Sequence, residues 1–220
     1  MPPTSEQVVA GQAVYTKRML SAYDIIVLVL SNRHIWKCPS SKILAHYNRH
    51  VSGNHLDVGV GTGYFLDRCS FPSSPPRIAL MDLNSNTLAF ASQRISRWNP
   101  ETYQQNIFEP IEPTMAPFDS VGINYLLHCL PGSMEEKTVA FDKLKLVMKP
   151  GARIFGSTIL QGGVTKSWMA NWLMAFYNKK GIFSNIEDNL EGLHRELCQR
   201  FVNITVEVVG CVALFSGQIH

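Results

Sequence analysis

Short apolar runs alternate with helical patterns through the middle of the chain. Four runs have the length and composition of buried strands: 55–58, 77–81, 120–123 and 153–158. Helical patterns separate them at 64–69, 87–95 and 134–148, the last opened by a capping box at Ser133–Glu136 and stopped by Lys149–Pro150–Gly151. Strands that alternate with helices predict a parallel sheet covered on both faces.

The segments on either side of this core have different patterns. Residues 5–50 predict a helical N-terminal cap, with helices beginning at Ser5 and covering 21–36 and 40–50. Residues 161–185 are rich in aromatic residues and predict a small lid. A capping box at 184–187 predicts a last helix that reaches residue 201, with Leu190, Leu193, Leu197 and Phe201 on one face, and Gly210 then separates two strands of a hairpin, 204–209 and 211–215.

Composition limits the protein to a few classes. A chain of 220 residues with 45% hydrophobic content predicts one domain, with a core at 54–160, the lid at 161–185 and the last helix and hairpin at 186–216. The net charge is +3 and no basic run exceeds a pair, so we expect no nucleic-acid partner.

The longest apolar run, 25–30, is too short to cross a bilayer, and the N-terminus lacks the pattern of a secretory signal. We therefore expect a cytoplasmic protein with no membrane partner, whose five cysteines, without any CxxC pair, are reduced and mostly buried.

The candidate chemistry begins at a glycine-rich turn, Asp57-Val58-Gly59-Val60-Gly61-Thr62-Gly63-Tyr64, between a predicted strand and a predicted helix. A dinucleotide fingerprint needs a glycine where Tyr64 stands, which disfavours an oxidoreductase with a nicotinamide cofactor. A phosphate-binding P-loop needs Lys followed by Ser or Thr, and Phe65–Leu66 occupies that place.

Two acids suggest the kind of ligand. Asp57 at the end of the first strand would attract a cationic group. Asp82 ends the second strand, at a position suited to accept hydrogen bonds from the hydroxyls of a ribose. The residues alone thus favour a nucleoside that carries positive charge.

With these features the chain resembles the class I S-adenosylmethionine-dependent methyltransferases from residue 54 to 216. The resemblance implies a Rossmann-like, doubly wound α/β fold with a seven-stranded, mostly parallel sheet and an antiparallel C-terminal strand. It also implies S-adenosylmethionine as cofactor. The residues that it assigns to the cofactor are Tyr15, Asp57, Gly59, Gly61, Gly63, Asp82, Leu83, Asn106, Ile107 and Asn124. Asn106 departs from the family, which often has an acid there, although an amide oxygen can also accept a hydrogen bond.

His128 follows the fourth-strand motif and is the candidate general base for an acceptor hydroxyl. The alternative is that His128 only packs under the loop or orients it. His46 and His50 stand four residues apart, but without a third ligand a solvated helix face is the simpler interpretation. We therefore expect no metal.

The residues predicted to bind the acceptor substrate lie outside the sheet: Tyr23, His128, Trp168, Trp172, Tyr177 and Asn178. Trp168, Trp172 and Phe176 recur at helical spacing, so we expect at least two of them to pack between lid and body. Tyr177 and Asn178 are the candidates for polar contact with substrate, and Tyr15 and Tyr23 either close over the cofactor or pack among helices.

The predicted function is transfer of a methyl group from S-adenosylmethionine to a small, largely apolar metabolite, such as a polyketide-like or phenolic compound of secondary metabolism. O-methylation is favoured over N-methylation. The alternative is a non-methylating catalyst or partner-binding protein that reuses the fold. The sequence is compatible with a monomer or a homodimer.

Overall fold

The computed structural model describes residues 24–111 and 115–220, with side chains from residue 30 onward in the first range. Tyr15, Tyr23 and the helix expected at Ser5 lie outside the described residues. A π-helix, Asp24–Ile35, comes first. The α-helices within the described ranges are α1 Ser40–His50, α2 Tyr64–Arg68, α3 Ser85–Arg94, α4 Met134–Lys145, α5 Trp168–Lys179 and α6 Leu190–Arg200.

Seven strands of the described chain form one sheet, in the order β3-β2-β1-β4-β5-β7-β6. Their bounds are β1 Asn54–Val58, β2 Arg77–Asp82, β3 Glu101–Gln104, β4 Phe118–Asn124, β5 Met148–Ile159, β6 Val202–Val209 and β7 Val212–Gln218. The first five pair in parallel, and β7 runs antiparallel to both β5 and β6. The predicted fold class is confirmed.

Helices cover both faces of the sheet. Buried residues of α4 and α6, among them Phe141 and Leu197, form one core with Leu56 and Val121. Helices α1, α2 and α3 cover the other face around Phe155. Beside them α5 packs against the segment around Trp36. The chain order reverses between β1 and β4, which is where open α/β sheets bind ligands.

The strand β3 was not among the runs that the apolar pattern identified. Its four residues, Glu101-Thr102-Tyr103-Gln104, alternate between half-buried and exposed at the edge of the sheet. An edge strand of this composition buries too little apolar surface to be recognised from sequence, and its pairing with β2 defines it.

Two predicted boundaries around β5 were wrong. Helix α4 ends at Lys145 and not at Met148, which pairs with Phe118 as the first residue of β5. Lys149–Pro150–Gly151, which was expected to stop the helix before the next strand, is instead part of an irregularity within β5, because Phe118 pairs with Met148 while Ser120 pairs with Arg153. Strand pairing with β4 overrides the local turn signal.

The predicted start of the last helix was also wrong. The helix begins at Leu190, and the side chain of Asn189 caps it by accepting a hydrogen bond from the Gly192 amide at 2.7 Å. The amide of Ser184 instead donates to the carbonyl of His128 at 2.8 Å. Ser184, which the capping pattern had assigned to the start of the helix, therefore makes a tertiary hydrogen bond instead.

Candidate functional site

The glycine loop, residues 59–63, connects β1 to α2 at the point where the strand order reverses. Gly59, Gly61 and Gly63 have φ of 69°, 53° and 71°, a left-handed conformation that residues with a side chain rarely adopt. A side chain on Gly59 would clash with Leu126, and one on Gly63 would crowd Ala91 of α3. Nothing lies within 4 Å of a Cβ built on Gly61, so there the backbone borders open space that a ligand can approach.

Asp82 ties the end of β2 to this loop. Its carboxylate accepts hydrogen bonds from the amides of Val60, Gly61 and Asn84, the last at 2.9 Å. Burial raises the pKa of Asp82 from 3.8 to about 6, although these hydrogen bonds favour the charged form. The carboxylate that the resemblance assigns to the ribose thus also fixes the glycine loop.

Asp57 lies next to the loop and is largely buried, with 6% of its surface exposed. Its carboxylate accepts a hydrogen bond from the hydroxyl of Tyr47 at 2.6 Å. Tyr47 belongs to α1, so the N-terminal cap contacts the residue predicted to face the cationic end of the ligand.

Asn124 and Gln161 hold the two buried polar side-chain atoms of the described residues that have no hydrogen-bond partner. The Oδ1 of Asn124 accepts from the Ser157 hydroxyl at 3.0 Å, while its Nδ2 donates to nothing. Gln161, which the sequence analysis did not single out, has an unpartnered Oε1 just beyond β5. An unmade buried hydrogen bond costs about 1–3 kcal/mol, so a bound ligand that pairs with these atoms would be stabilised.

The residues predicted for the adenine side occupy the neighbouring strand ends. Leu83 is half-buried directly after β2, and its carbonyl accepts from Gln104 at 3.2 Å. Asn106 is buried, and its Oδ1 accepts the Phe108 amide at 3.1 Å. Ile107 is part of the core beside Met81. The Asn106 oxygen retains a second lone pair, which is the acceptor that an adenine amine would need.

His128 lies in a short helical turn after β4 and is almost fully buried. Its Nδ1 accepts from the Ile159 amide at 3.3 Å, and its ring packs edge-on against Phe183 with centroids 4.5 Å apart. Burial, with a smaller contribution from the charge of Lys137, lowers the pKa of His128 to about 3. This environment favours the packing role among the two that the sequence left open, and the general-base role stays a prediction.

The lid helix α5 presents a face opposite to the predicted one. Trp168, Trp172 and Phe176 are 78%, 63% and 41% exposed, whereas Ala170 and Met174 are buried against the body. The expectation that at least two of the three aromatic residues pack into the core was therefore wrong. The same 3.6-residue period describes both faces, and only contact with the body distinguishes them.

Tyr177 and Asn178 lie at the end of α5 in different environments. The ring of Tyr177 packs against Phe183 at 4.9 Å, and burial raises the pKa of its hydroxyl. The amide group of Asn178 donates to Asn185 at 2.8 Å, and its oxygen accepts the Asn185 amide at 3.1 Å. Asn178 thus fastens helix α5 to the segment that follows this helix, and its substrate contact stays a prediction.

The pair of histidines on α1 was interpreted wrongly. His46 does not lie on a solvated face but is buried, and its Nε2 lies 2.9 Å from the carbonyl of Phe215, to which it donates. His50 is 3.3 Å from Arg153. Within the described ranges, no group of three His, Cys, Asp or Glu side chains could hold a metal ion, and no helix is long and apolar enough to span a membrane.

Some residues of the site escaped the sequence analysis. Tyr47 and His55 form buried hydrogen bonds beside Asp57, and Lys137 and Asp188 form a buried ion pair behind His128. A histidine in a strand predicted to be buried, two residues before Asp57, was a usable signal. Lys137 offered none, because a lysine on a helix is ordinarily solvated.

The glycine loop, the acids that end β1 and β2, and the unpartnered Asn124 amide fit a nucleoside cofactor with a charged end, and they lie where the strand order reverses, the place at which open α/β sheets bind ligands. A family model described as a methyltransferase domain matches residues 56–154. Demethylluteothin O-methyltransferase from Streptomyces thioluteus is 40% identical over 212 residues, with 96% of this chain and 92% of the relative covered.

Two further comparisons extend this result. N-methyltransferase vrtF from Penicillium aethiopicum is 36% identical over 185 residues, which cover 83% of this chain and 77% of the relative. The structure of the DhpI–SAH complex superposes with a TM-score of 0.69 at 15% identity and covers 98% of both chains, which supports the fold. The chain belongs to the class I S-adenosylmethionine-dependent methyltransferases. S-adenosylmethionine is its cofactor.

Proposed function

We propose that this enzyme methylates a hydroxyl group of a small, largely apolar metabolite. The observation that carries the proposal is the 40% identity, along 96% of the chain, to an O-methyltransferase named for the metabolite demethylluteothin. The N-methyltransferase vrtF is similar over a smaller share of the chain, so nitrogen is the less favoured acceptor atom.

The residues proposed to bind the cofactor lie at the ends of four strands, β1 to β4. Asp82 would accept hydrogen bonds from the ribose hydroxyls, and Leu83, Asn106 and Ile107 would contact the adenine. The glycine loop and Asp57 would hold the amino-acid end, where the open space beside Gly61 supports close approach of the ligand to the backbone. Asn124 offers an unpartnered N–H at the end of β4.

Bound S-adenosylmethionine supplies an electrophilic methyl group on a positively charged sulfur. Methylation of a hydroxyl acceptor by this group would release the hydroxyl proton and leave S-adenosylhomocysteine as the second product. In the described arrangement the Ile159 amide donates to Nδ1 of His128, so Nε2 carries the ring proton of an uncharged imidazole. We propose that the hydroxyl proton passes to water and that this chain contributes mainly alignment of the reactants.

The acceptor would lie between the carboxyl ends of the strands and the lid. Phe183 packs on His128 and Tyr177 packs on Phe183, and this aromatic cluster supports an apolar, aromatic acceptor. Gln161 offers an unpartnered acceptor atom for a substrate hydroxyl. We further propose that the chain works as one catalytic domain, as a monomer or homodimer, without a nucleic-acid partner.

Thermal stability tests cofactor binding. S-adenosylhomocysteine should raise Tm of the wild type, and Asp82→Ala should abolish the shift. NAD is the matched control and should give none. Absence of a shift for S-adenosylhomocysteine in the wild type would overturn the cofactor assignment.

Product mass tests the reaction. Incubation of the enzyme with methyl-labelled S-adenosylmethionine and a panel of phenolic and amine acceptors should give labelled products that gain one methyl group on oxygen. Gain on nitrogen alone would contradict the preferred acceptor atom. An isomerised product without label would support the non-methylating alternative.

A further inference from the structure

A chain of buried hydrogen bonds leads through the protein to Asp57. The hydroxyl of Tyr47 on α1 donates to Oδ2 of Asp57 at 2.6 Å. Nε2 of His55 lies 2.8 Å from that hydroxyl, and Nδ1 of His55 lies 2.8 Å from the hydroxyl of Ser120 on β4. Tyr47 and His55 are fully enclosed and Ser120 is 1% exposed, so water does not compete for these groups.

The direction of donation follows from the number of protons available. The single hydroxyl proton of Tyr47 goes to Asp57, so Nε2–H of His55 must donate to the oxygen of Tyr47. In that tautomer Nδ1 accepts the proton of the Ser120 hydroxyl, whose oxygen accepts the Ser52 amide at 2.9 Å. Each group therefore donates toward the carboxylate, and aligned hydrogen bonds of this kind strengthen one another.

The packing around the chain leaves these groups little freedom to move. Phe155 stacks on His55 with centroids 5.7 Å apart and meets the ring of Tyr47 edge-on at 5.0 Å. Gly122, which pairs with Asp57 across the sheet, makes room for them, because its Cβ would lie 3.1 Å from His55 and 3.3 Å from Asp57. Burial, followed by the charge of Asp57, raises the pKa of Tyr47, so its hydroxyl keeps the proton that it donates.

Stability alone does not account for three polar groups in a core. Apolar side chains would fill the same space without the cost of burying hydrogen-bonding atoms. The chain of hydrogen bonds ends at Oδ2 of Asp57 beside the glycine loop. This arrangement indicates that the buried polar groups serve to fix the orientation of the Asp57 carboxylate.

We propose that Tyr47, oriented by His55 and Ser120, is a positioning residue that holds Asp57 in place for the ammonium group at the amino-acid end of the cofactor. The proposal rests on the cofactor role of Asp57 given under the proposed function. It makes helix α1 of the N-terminal cap a determinant of cofactor affinity.

Two ligands distinguish positioning from general stability. S-adenosylhomocysteine carries the amino-acid end, whereas 5′-methylthioadenosine has the same nucleoside and sulfur without it. Calorimetric titration of Tyr47→Phe should show a Kd for S-adenosylhomocysteine that is about tenfold weaker, and a Kd for 5′-methylthioadenosine within about twofold of wild type.

Tyr103→Phe is the matched control, because the hydroxyl of Tyr103 donates to the carboxylate of Glu101 at 2.7 Å on the edge strand β3. It should leave both affinities unchanged. If Tyr47→Phe does not fold, Ser120→Ala tests the same chain farther from Asp57 and should weaken S-adenosylhomocysteine selectively, by about threefold.

Equal weakening of both ligands by Tyr47→Phe, or by Ser120→Ala in its place, would overturn the proposal in favour of a structural role, and so would no weakening of either. The variant Asp57→Asn tests the cofactor role of Asp57 separately from the positioning role of Tyr47. If the wild type binds S-adenosylhomocysteine but Asp57→Asn does not weaken it, the role of Asp57 fails and the positioning role with it. If the wild type binds neither ligand, the cofactor assignment itself fails.

Discussion

Lys137 and Asp188 form an ion pair that is completely enclosed in the protein. Nζ of Lys137 lies 2.7 Å from both carboxylate oxygens, and neither side chain is exposed. Lys137 also donates to the carbonyl of Ser184. The pair thus fixes the segment between the lid and the last helix to α4. Burial raises the pKa of Asp188 to about 6 and lowers the pKa of Lys137. Each of the two buried charges is therefore stabilised by the other.

Removal of one member of this pair should destabilise the fold strongly. We expect Lys137→Met to lower the free energy of unfolding by about 3–5 kcal/mol, because Asp188 would be left buried without a counter-ion. Denaturant unfolding measures the effect. Lys149→Met is the control, since Lys149 pairs with Asp119 at 3.0 Å while both side chains are more than 40% exposed, and it should cost less than about 1 kcal/mol. Equal losses in the two variants would contradict the burial argument.

His128 should contribute to stability more than to proton transfer. His128→Ala would leave the Ile159 amide unpaired and a gap beside Phe183, with an expected loss of about 2–4 kcal/mol. Turnover at saturating substrate should fall by less than about tenfold, whereas loss of a general base costs about 10²–10⁴. Unfolding curves and kcat are the measurements. A hundredfold fall in kcat without loss of stability would establish the general-base role instead.

Cofactor affinity should depend on pH through Asp82. Its raised pKa of about 6 means that the carboxylate is ionised above that pH and protonated below it. Only the ionised form can accept hydrogen bonds from both ribose hydroxyls, so the affinity for S-adenosylhomocysteine should be constant above pH 7 and fall up to about tenfold by pH 5. Titration calorimetry across this range measures it. Asp82→Asn should bind more weakly and lose the dependence, and an unchanged profile in that variant would assign the effect to another group.

The two faces of α5 should respond differently to truncation. Met174→Ala removes a side chain that is 1% exposed and should cost about 2–5 kcal/mol, whereas Trp172→Ala, at 63% exposure, should cost less than about 1 kcal/mol. Thermal unfolding compares them. If the predicted substrate contact of Trp172 is correct, Trp172→Ala should raise KM for the acceptor without changing the affinity for S-adenosylhomocysteine. A large loss of stability in Trp172→Ala would show that this face is covered.

The cap of α6 gives a direct comparison between the sequence pattern and the structure. Asn189→Ala should lower the free energy of unfolding by about 1 kcal/mol, because it removes the acceptor for the Gly192 amide. Ser184→Ala should stay within about 0.5 kcal/mol of wild type, since Ser184 is held through its main chain. The reverse order of effects would favour the helix start that the sequence pattern had indicated.

The sequence by itself determined six of the seven strands of the sheet and the location of the glycine loop. Buried parallel strands are rich in apolar residues, and the left-handed turn between β1 and α2 requires glycines at fixed positions, so both features can be recognised from the sequence alone. Asp82 could be predicted at a strand end for the same reason, because the carboxyl ends of parallel strands lie at one edge of the sheet.

Only the tertiary structure decided the features that depend on a partner distant in sequence. The face of α5 that turns inward, the first residue of α6, the extent of β5 and the edge strand β3 each follow from contacts with another element. The hydrogen-bond chain to Asp57 and the Lys137–Asp188 pair join residues from separate helices and strands. Local patterns report burial periodicity and turn chemistry, whereas the pairing of buried polar groups is set by packing in three dimensions.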